Sequence, residues 1–351
     1  INPKNVQVYK RIFDVNDEFK LNIHEGDTLS LNPETYWGVK SFDIVVGNPP
    51  YNKGGIRSHT GEHLGEKNET VWPKFVKYGL SYLKAKGYLC FIHPQSWLKK
   101  SHKLHDILLE KHILWMKIWD NMKSLSVLNG KIPISIYVLR NNLNELKLKT
   151  IIISQIQSKN IQSESIEYLD KNQTIPIAYY NIFSKLYQFI QKNKLQLEYK
   201  NNTVKSSGER MVLPNDYDSK DMFGVDTITV KDGIQVKKMS VEHPDMTKKK
   251  LIIANKSSFI GSFIDDGRLG LVGNHKFYIL GTKLNIVLDV LKFKITRVIS
   301  HLTKYGQDFL DPTAFDYIPD LRKLPNFLSE DQFYEQIGLT ETEINQIYTF
   351  K

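Results

Sequence analysis

Asn48, Pro49, Pro50 and Tyr51 bring a side-chain amide, a rigid backbone carbonyl and an aromatic ring together directly behind the apolar run Phe42-Asp43-Ile44-Val45-Val46-Gly47. The run is short and nearly continuous in its apolar character, which predicts a central strand covered on both faces in a parallel sheet. Gly47 ends it. Proline fixes its own backbone and donates nothing to a sheet ladder, so the chain leaves the strand as a stiff, preset turn. An amide oxygen and a carbonyl oxygen held rigidly in this way suit a site that must hold one reacting nitrogen, and Tyr51 beside them offers a flat face to a planar group.

The tetrapeptide behind Asp-Ile-Val-Val-Gly resembles the catalytic motif of S-adenosylmethionine-dependent methyltransferases that modify adenine N6 in DNA. The exocyclic amine of adenine is a poor nucleophile, because its lone pair is delocalised into the ring. The Asn48 side-chain oxygen and the Pro49 carbonyl could accept its two hydrogens and free that lone pair towards a methyl donor. Tyr51 could stack on the base, which must leave the duplex to be reached. The resemblance thus implies Asn48, Pro49, Pro50 and Tyr51 as catalytic residues, with Asn48 and Pro50 also beside the cofactor. Methyltransferases acting on RNA or on a protein glutamine carry the same tetrapeptide, since an amide nitrogen poses the same electronic problem. A chain that only binds DNA, as a specificity component or remnant, is the third reading.

The elements around this turn alternate. Asn2 and Pro3 suit an N-cap and a first helical residue, predicting a helix over residues 3–13 with Ile1 closing a strand. In the resembled family an acidic residue just before Ile1 binds the cofactor ribose, and a glycine-rich turn passes close to its methionine part. Neither is present. The resemblance therefore implies a sheet lacking its first cofactor-binding elements, which leaves Ile1, Asp27, Thr28, Asn48 and Pro50 to hold the cofactor. Upstream sequence, or a separate polypeptide or restriction subunit, is the implied completing partner, without which the chain alone is expected to be inactive. Residues 21–24 read as a strand ending at Glu25-Gly26-Asp27-Thr28, where the family's Asp accepts from the cofactor's adenine amine.

The polar stretch 52–70 reads as a loop that sets Lys53 and Arg57 near phosphates. Its glycines argue against a helix that would join His59 and His63 on a metal, so no metal site is expected. A helix over 72–84, a strand over 88–92, a helix over 105–110 and strands over 113–119 and 132–139 complete a doubly wound α/β sheet. Many relatives pack an aromatic on the second face of the base; here the matching position is Val127.

Past Asn141 the alternation stops, and Asn, Gln, Lys and Ser rise. The expected division is a catalytic domain over 1–145, a connector over 146–200 with a strand at 148–153 and a helix at 178–191, and a strand-rich target-recognition domain over 201–351. That last domain ends in a helix opened by the Thr340-Glu341-Thr342-Glu343 capping pattern. The order resembles that of the gamma-order enzymes of restriction-modification or related viral systems. Lys248, Lys249, Lys250, Arg268, His275 and Lys276 form the expected phosphate-binding group.

Composition agrees with that picture. Lys and Arg number 48 against 38 Asp and Glu, a net charge of +10 that favours a polyanionic partner, here double-stranded DNA. The single cysteine, Cys90, excludes an intrachain disulfide. No apolar run approaches the ~18 residues needed to cross a bilayer. The chain reads as soluble and intracellular.

Overall fold

The computed structural model describes residues 8, 12, 22–53, 56–57, 63–64, 69–144, 148–229, 231–255, 257–306 and 309–350. Ile1 and His59 lie outside these residues, as does the predicted helix over 3–13 apart from Val8 and Ile12, which are helical.

A six-stranded mixed sheet carries the first half. In chain order its strands are β1 (Phe42–Gly47), β2 (Leu83–Pro94), β3 (Lys111–Trp119), β4 (Ile134–Leu143), β5 (Thr150–Ile156) and β6 (Ile161–Glu167). They lie side by side as β1-β2-β4-β3-β5-β6. β1 pairs parallel with β2, and β3 parallel with β5, while β4 runs antiparallel between β2 and β3. Strands β1, β2, β3 and β5 therefore all end on one rim of the sheet, where β4 begins.

Helix α1 (Trp72–Ser81) crosses from β1 to β2. Its buried residues Trp72, Val76 and Gly79 sit three and four apart, so they share one face. At Gly79 a Cβ would stand 3.2 Å from Leu89 and from Phe91, so the helix approaches the sheet as closely as a missing side chain allows. The helix stops at Ser81 rather than near residue 84, and β2 starts at once. Its pairing with β1 jumps from Phe42–Leu83 to Ile44–Tyr88 because residues 84–87 bulge out of the ladder, Lys86 at φ 66°. Lys84 in this bulge pairs with Asp43 at 2.9 Å.

Two expectations change here. β1 is not a central strand: among the described residues it has β2 as its one partner, and Ile44 and Val46 are 61% and 72% exposed. The alternation along β1 turns Val45 into the core and these two outward. The strand foreseen at 148–153 is β5, and with β6 it extends the same sheet. Thr150 Oγ1 donates to the Ile113 carbonyl at 2.6 Å, and Trp119 Nε1 to Gln155 Oε1 at 2.8 Å, so β5 is tied to β3 at both ends.

Short α2 (His105–Leu109) precedes β3, and α3 (Asn121–Leu128) follows it. After β6, α4 (Tyr180–Asn193) buries Ile182, Phe183, Leu186 and Ile190 at helical spacing. The second half holds two smaller sheets. β7 (Ser206–Val212), β8 (Phe223–Thr229), β9 (Gly233–Met239) and β12 (Gly270–Leu271) form one, in the order β7-β9-β8-β12. β10 (Lys250–Ile253), β11 (Phe263–Asp265) and β13 (Phe277–Leu280) form the other, with β10 central.

Helices α5 (Leu284–Lys292), α6 (Lys294–Leu302), α7 (Glu330–Gln336) and α8 (Glu341–Thr349) close the chain. The capping box foreseen at Thr340 is present, with Glu343 completing it. Glu343 also accepts from Asn181 at 2.6 Å and Lys185 at 2.7 Å, which binds α8 to α4. One hydrophobic cluster runs from Trp72 to Phe350, so the sheet and the final helices share a core. No helix among the described residues is long and apolar enough to cross a membrane.

Candidate active site

The turn after β1 lines a cleft of about 310 Å³ on the rim where the strands end. Crevices outside the carboxyl ends of strands are the usual ligand sites of such sheets. Asn48, Pro49, Pro50 and Tyr51 form one wall, and Ser124, Leu128, Gly130, Ile132 and Ile134 the other. Pro49 is buried, Tyr51 half-buried, and Asn48 and Pro50 are exposed. No hydrogen bond within the described residues engages the Asn48 side chain, whereas the turn itself is anchored. The Tyr51 carbonyl accepts from Val71 N at 3.0 Å and Trp72 N at 3.4 Å, joining the turn to the first residues of α1. Burial pushes the Tyr51 phenol up from its ordinary value, so the ring meets the cleft as a neutral, flat surface.

Behind this anchor Trp72 lies between two histidines, stacked on His93 at 4.3 Å and on His102 at 5.3 Å. His93 is expected to be structural, and its contacts are those of a core residue. A carbonyl can only accept, so Nδ1 donates to Pro94 O at 2.9 Å, and Nε2 then accepts from the Tyr137 hydroxyl at 3.0 Å. Burial brings His93 down to about 3, and burial with the nearby Lys103, His105 and Lys99 brings His102 to about 4. Both rings stay neutral at physiological pH. Trp72→Phe should therefore cost about 1–3 kcal/mol through lost packing, with the same loss at pH 6 and pH 8 in urea unfolding. A loss that changed with pH over that range would mean that a charged histidine is part of the stack.

Several expected site residues fall elsewhere. Val127 is 50% exposed and does not line the cleft; its neighbours on α3, Ser124 and Leu128, do. Helix α3 decides this, because one residue along a helix turns a side chain by about 100°. The signal for the helix was Asp120, an N-cap residue type whose side chain accepts from Lys123 N at 2.8 Å. Asp27 caps a 3-10 turn over Thr28–Ser30, its Oδ1 accepting from Leu29 N at 3.0 Å. Asp27 and Thr28 are exposed, and neither lines the cleft. Lys53 and Arg57 stand in two-residue strands paired with Glu69–Thr70 and His63–Leu64.

The basic group of the second half divides. Lys250 is fully buried, with Nζ 2.8 Å from Asp265, and Lys276 is 2% exposed, 3.7 Å from Asp226. Neither can reach a phosphate, so both leave the expected DNA surface. Lys248 and Lys249 are exposed, paired at 2.7 Å with Asp245 and Asp266. Arg268 lies over the Tyr217 ring at 4.6 Å, and His275 stacks on Phe309 at 4.4 Å; both remain exposed.

The comparison with protein families falls on the same region. The Eco57I restriction-modification methylase family matches residues 2–127, a stretch that holds β1, the turn over 48–51, α1, β2 and β3. No curated protein matches the chain. Among solved structures, the type IIL restriction-modification enzyme MmeI in complex with DNA is similar over 98% of this chain and 62% of its own, at 11% identity and a TM-score of 0.49. The type I restriction-modification methyltransferase subunit from Streptococcus thermophilus is 21% identical over 42% of this chain and 33% of its own, with a TM-score of 0.28. The EcoKI M protein is 13% identical over 45% and 35%, with a TM-score of 0.33. This chain spans about a third of the length of the latter two.

Proposed function

We propose that the chain is the catalytic and DNA-recognition part of a site-specific methyltransferase that transfers a methyl group to N6 of a flipped adenine, built on a doubly wound methyltransferase sheet. The observation that carries this reading is the cleft behind β1. It sets an amide that no hydrogen bond among the described residues engages, a proline-locked carbonyl and a half-buried tyrosine against a largely apolar wall, within the segment matched by the restriction-modification methylase family.

S-adenosylmethionine, when bound, supplies the activated methyl group. The donor set on the chain fits it in part. One oxygen of Asp27 is used by Leu29 N, and the other, which no hydrogen bond among the described residues engages, could accept from an amino group. Asn48 and Pro50 border the cleft in which the methyl must arrive. The adenine is held by this chain's own groups: its two amine hydrogens on Asn48 Oδ1 and Pro49 O, its ring against Tyr51, and its far edge against Leu128 and Ile132. Once the base covers Leu128 and Ile132, the water displaced from them lowers the local dielectric, and the two acceptors then act more strongly on the developing charge than they would in solvent.

Transfer of a labelled methyl group, followed into DNA, RNA and protein side by side, tests the reading. Label in DNA adenine upholds it. Label in RNA or in a protein glutamine overturns the substrate assignment, and no transfer by a full-length enzyme overturns the enzyme. In the second half, Lys248 and Lys249 remain the proposed phosphate contacts with Arg268 and His275. Changing both lysines to alanine should weaken binding to all DNA sequences alike and flatten its salt dependence, since phosphate contacts release counterions whatever the base. An unchanged slope would place the DNA surface elsewhere.

A further inference from the structure

A second cavity, of about 510 Å³, lies on the same rim beyond the wall of the catalytic cleft. Its floor is made where strands end: Gln95 follows β2, Asp120 follows β3, and Lys159 follows β5. α6 and the segment after it supply His301 and Lys304. The partition between the two spaces is the chain leading into β4. Gly130, Ile132 and Ile134 face the catalytic cleft, and Lys131 and Pro133, alternating with them, face the second cavity. One extended segment thus presents an apolar side to one space and a lysine to the other.

The second cavity is built for an anion. Lys131, Lys159 and Lys304 line it, Lys159 with its Nζ 5.3 Å from the Phe350 ring, and burial together with the charges of Lys304, Lys159 and Arg297 brings the His301 imidazole down to about 3. The opposing carboxylate, Asp120, already has both oxygens on backbone N–H groups, those of Lys123 and Ser158, each at 2.8 Å. The cavity also offers an acceptor. Gln95 is 1% exposed, and its Oε1 is buried with no hydrogen-bond partner among the described residues, an arrangement that costs stability unless a ligand or water supplies a donor. A ligand carrying both a negative charge and an N–H group meets both requirements, and a nucleotide is such a ligand.

We propose that this cavity takes the nucleotide next to the flipped adenine, its phosphate held by Lys131 and Lys304 and an N–H of its base by Gln95. The inference rests on the DNA substrate of the reading above. A flipped base turns about its own backbone, so the flanking phosphates stay at the mouth of the pocket it enters. The strand must then pass over the partition, and the lysines stand on its far side.

The test uses the full chain and a fluorescein-labelled DNA duplex, with anisotropy read across a salt series. Lys131→Ala with Lys304→Ala should weaken binding and make the salt slope shallower by about 0.9, for the one phosphate they share. Lys131→Glu, at an exposed position, should weaken binding without risk to the fold. Gln95→Ala removes no charge and should weaken binding severalfold at an unchanged slope. Lysine variants that keep the parent slope overturn the inference. Methyl transfer by a full-length enzyme separates the two readings. Transfer with an unaltered slope leaves the methyltransferase standing and removes the cavity. A shallower slope with no transfer by a full-length enzyme does the reverse.

Discussion

Asn48→Ala in a full-length enzyme should lower methyl transfer by at least about a hundredfold while leaving cofactor affinity within a few-fold of the parent. The asymmetry follows from when the amide is needed. In the ground state the adenine amine is planar and its hydrogens are satisfied well enough by water. As the nitrogen attacks it becomes pyramidal and positive, and an acceptor fixed against one N–H then gains strength that the ground state does not show. Asn48 is suited to this because its side chain makes no hydrogen bond within the described residues and needs to break none. The acceptor beside it is locked by Pro49 and Pro50, and the turn is tied to α1 through the Tyr51 carbonyl. Asn48→Asp is the sharper comparison. It retains an acceptor oxygen of the same reach, so it should keep more activity than alanine. Equal activity for the parent and Asn48→Ala would remove the paired-acceptor mechanism, and a large loss of cofactor affinity in Asn48→Ala would make the residue a binding group instead.

The parts of this site that were legible in the sequence are those set by local rules. An apolar run followed by two prolines can end in few ways, and β1 with its turn is one of them. The capping box at Thr340 and the helical spacing of α1 and α4 are equally local. What could not be read depends on neighbours distant in sequence. Ile44 and Val46 look like core residues, and only the strand order shows β1 at an edge with that face uncovered. Leu128 replaces Val127 in the cleft because α3 sets the direction of each side chain. The cationic cavity gathers Lys131, Lys159 and Lys304 from three distant chain segments, none of them basic enough alone to attract notice. The second half misleads in the opposite sense. Three consecutive lysines look like a solvated patch, yet the third is in the core.

That buried lysine gives the second large effect: Lys250→Met should destabilise the fold by about 3–5 kcal/mol, the cost of leaving one partner of a buried ion pair without the other. Lys250 stands opposite Asp265 in the β10–β11 ladder, and its ammonium donates to the carbonyls of Asp245, Met246 and Lys248 at 2.9–3.0 Å. Asp265 in turn accepts from the backbone N–H groups of Gly267, Arg268 and Leu269 at 3.1–3.2 Å. The turn has little freedom to relax, since Gly267 sits at φ +96° and a Cβ there would lie 2.4 Å from the Thr247 carbonyl. Lys250→Met leaves three carbonyls without their donor and a carboxylate without its countercharge. Adding Asp265→Asn should recover part of the loss, because the side-chain oxygen still accepts from the turn and no buried charge remains unpaired. Urea unfolding of the two variants measures both steps. A surface lysine that held a phosphate would behave differently: its loss would spare the unfolding midpoint and flatten the salt dependence of DNA binding. Lys250→Met with an unchanged midpoint would therefore return Lys250 to the DNA surface, and a lowered midpoint that Asp265→Asn partly restores would keep it in the core.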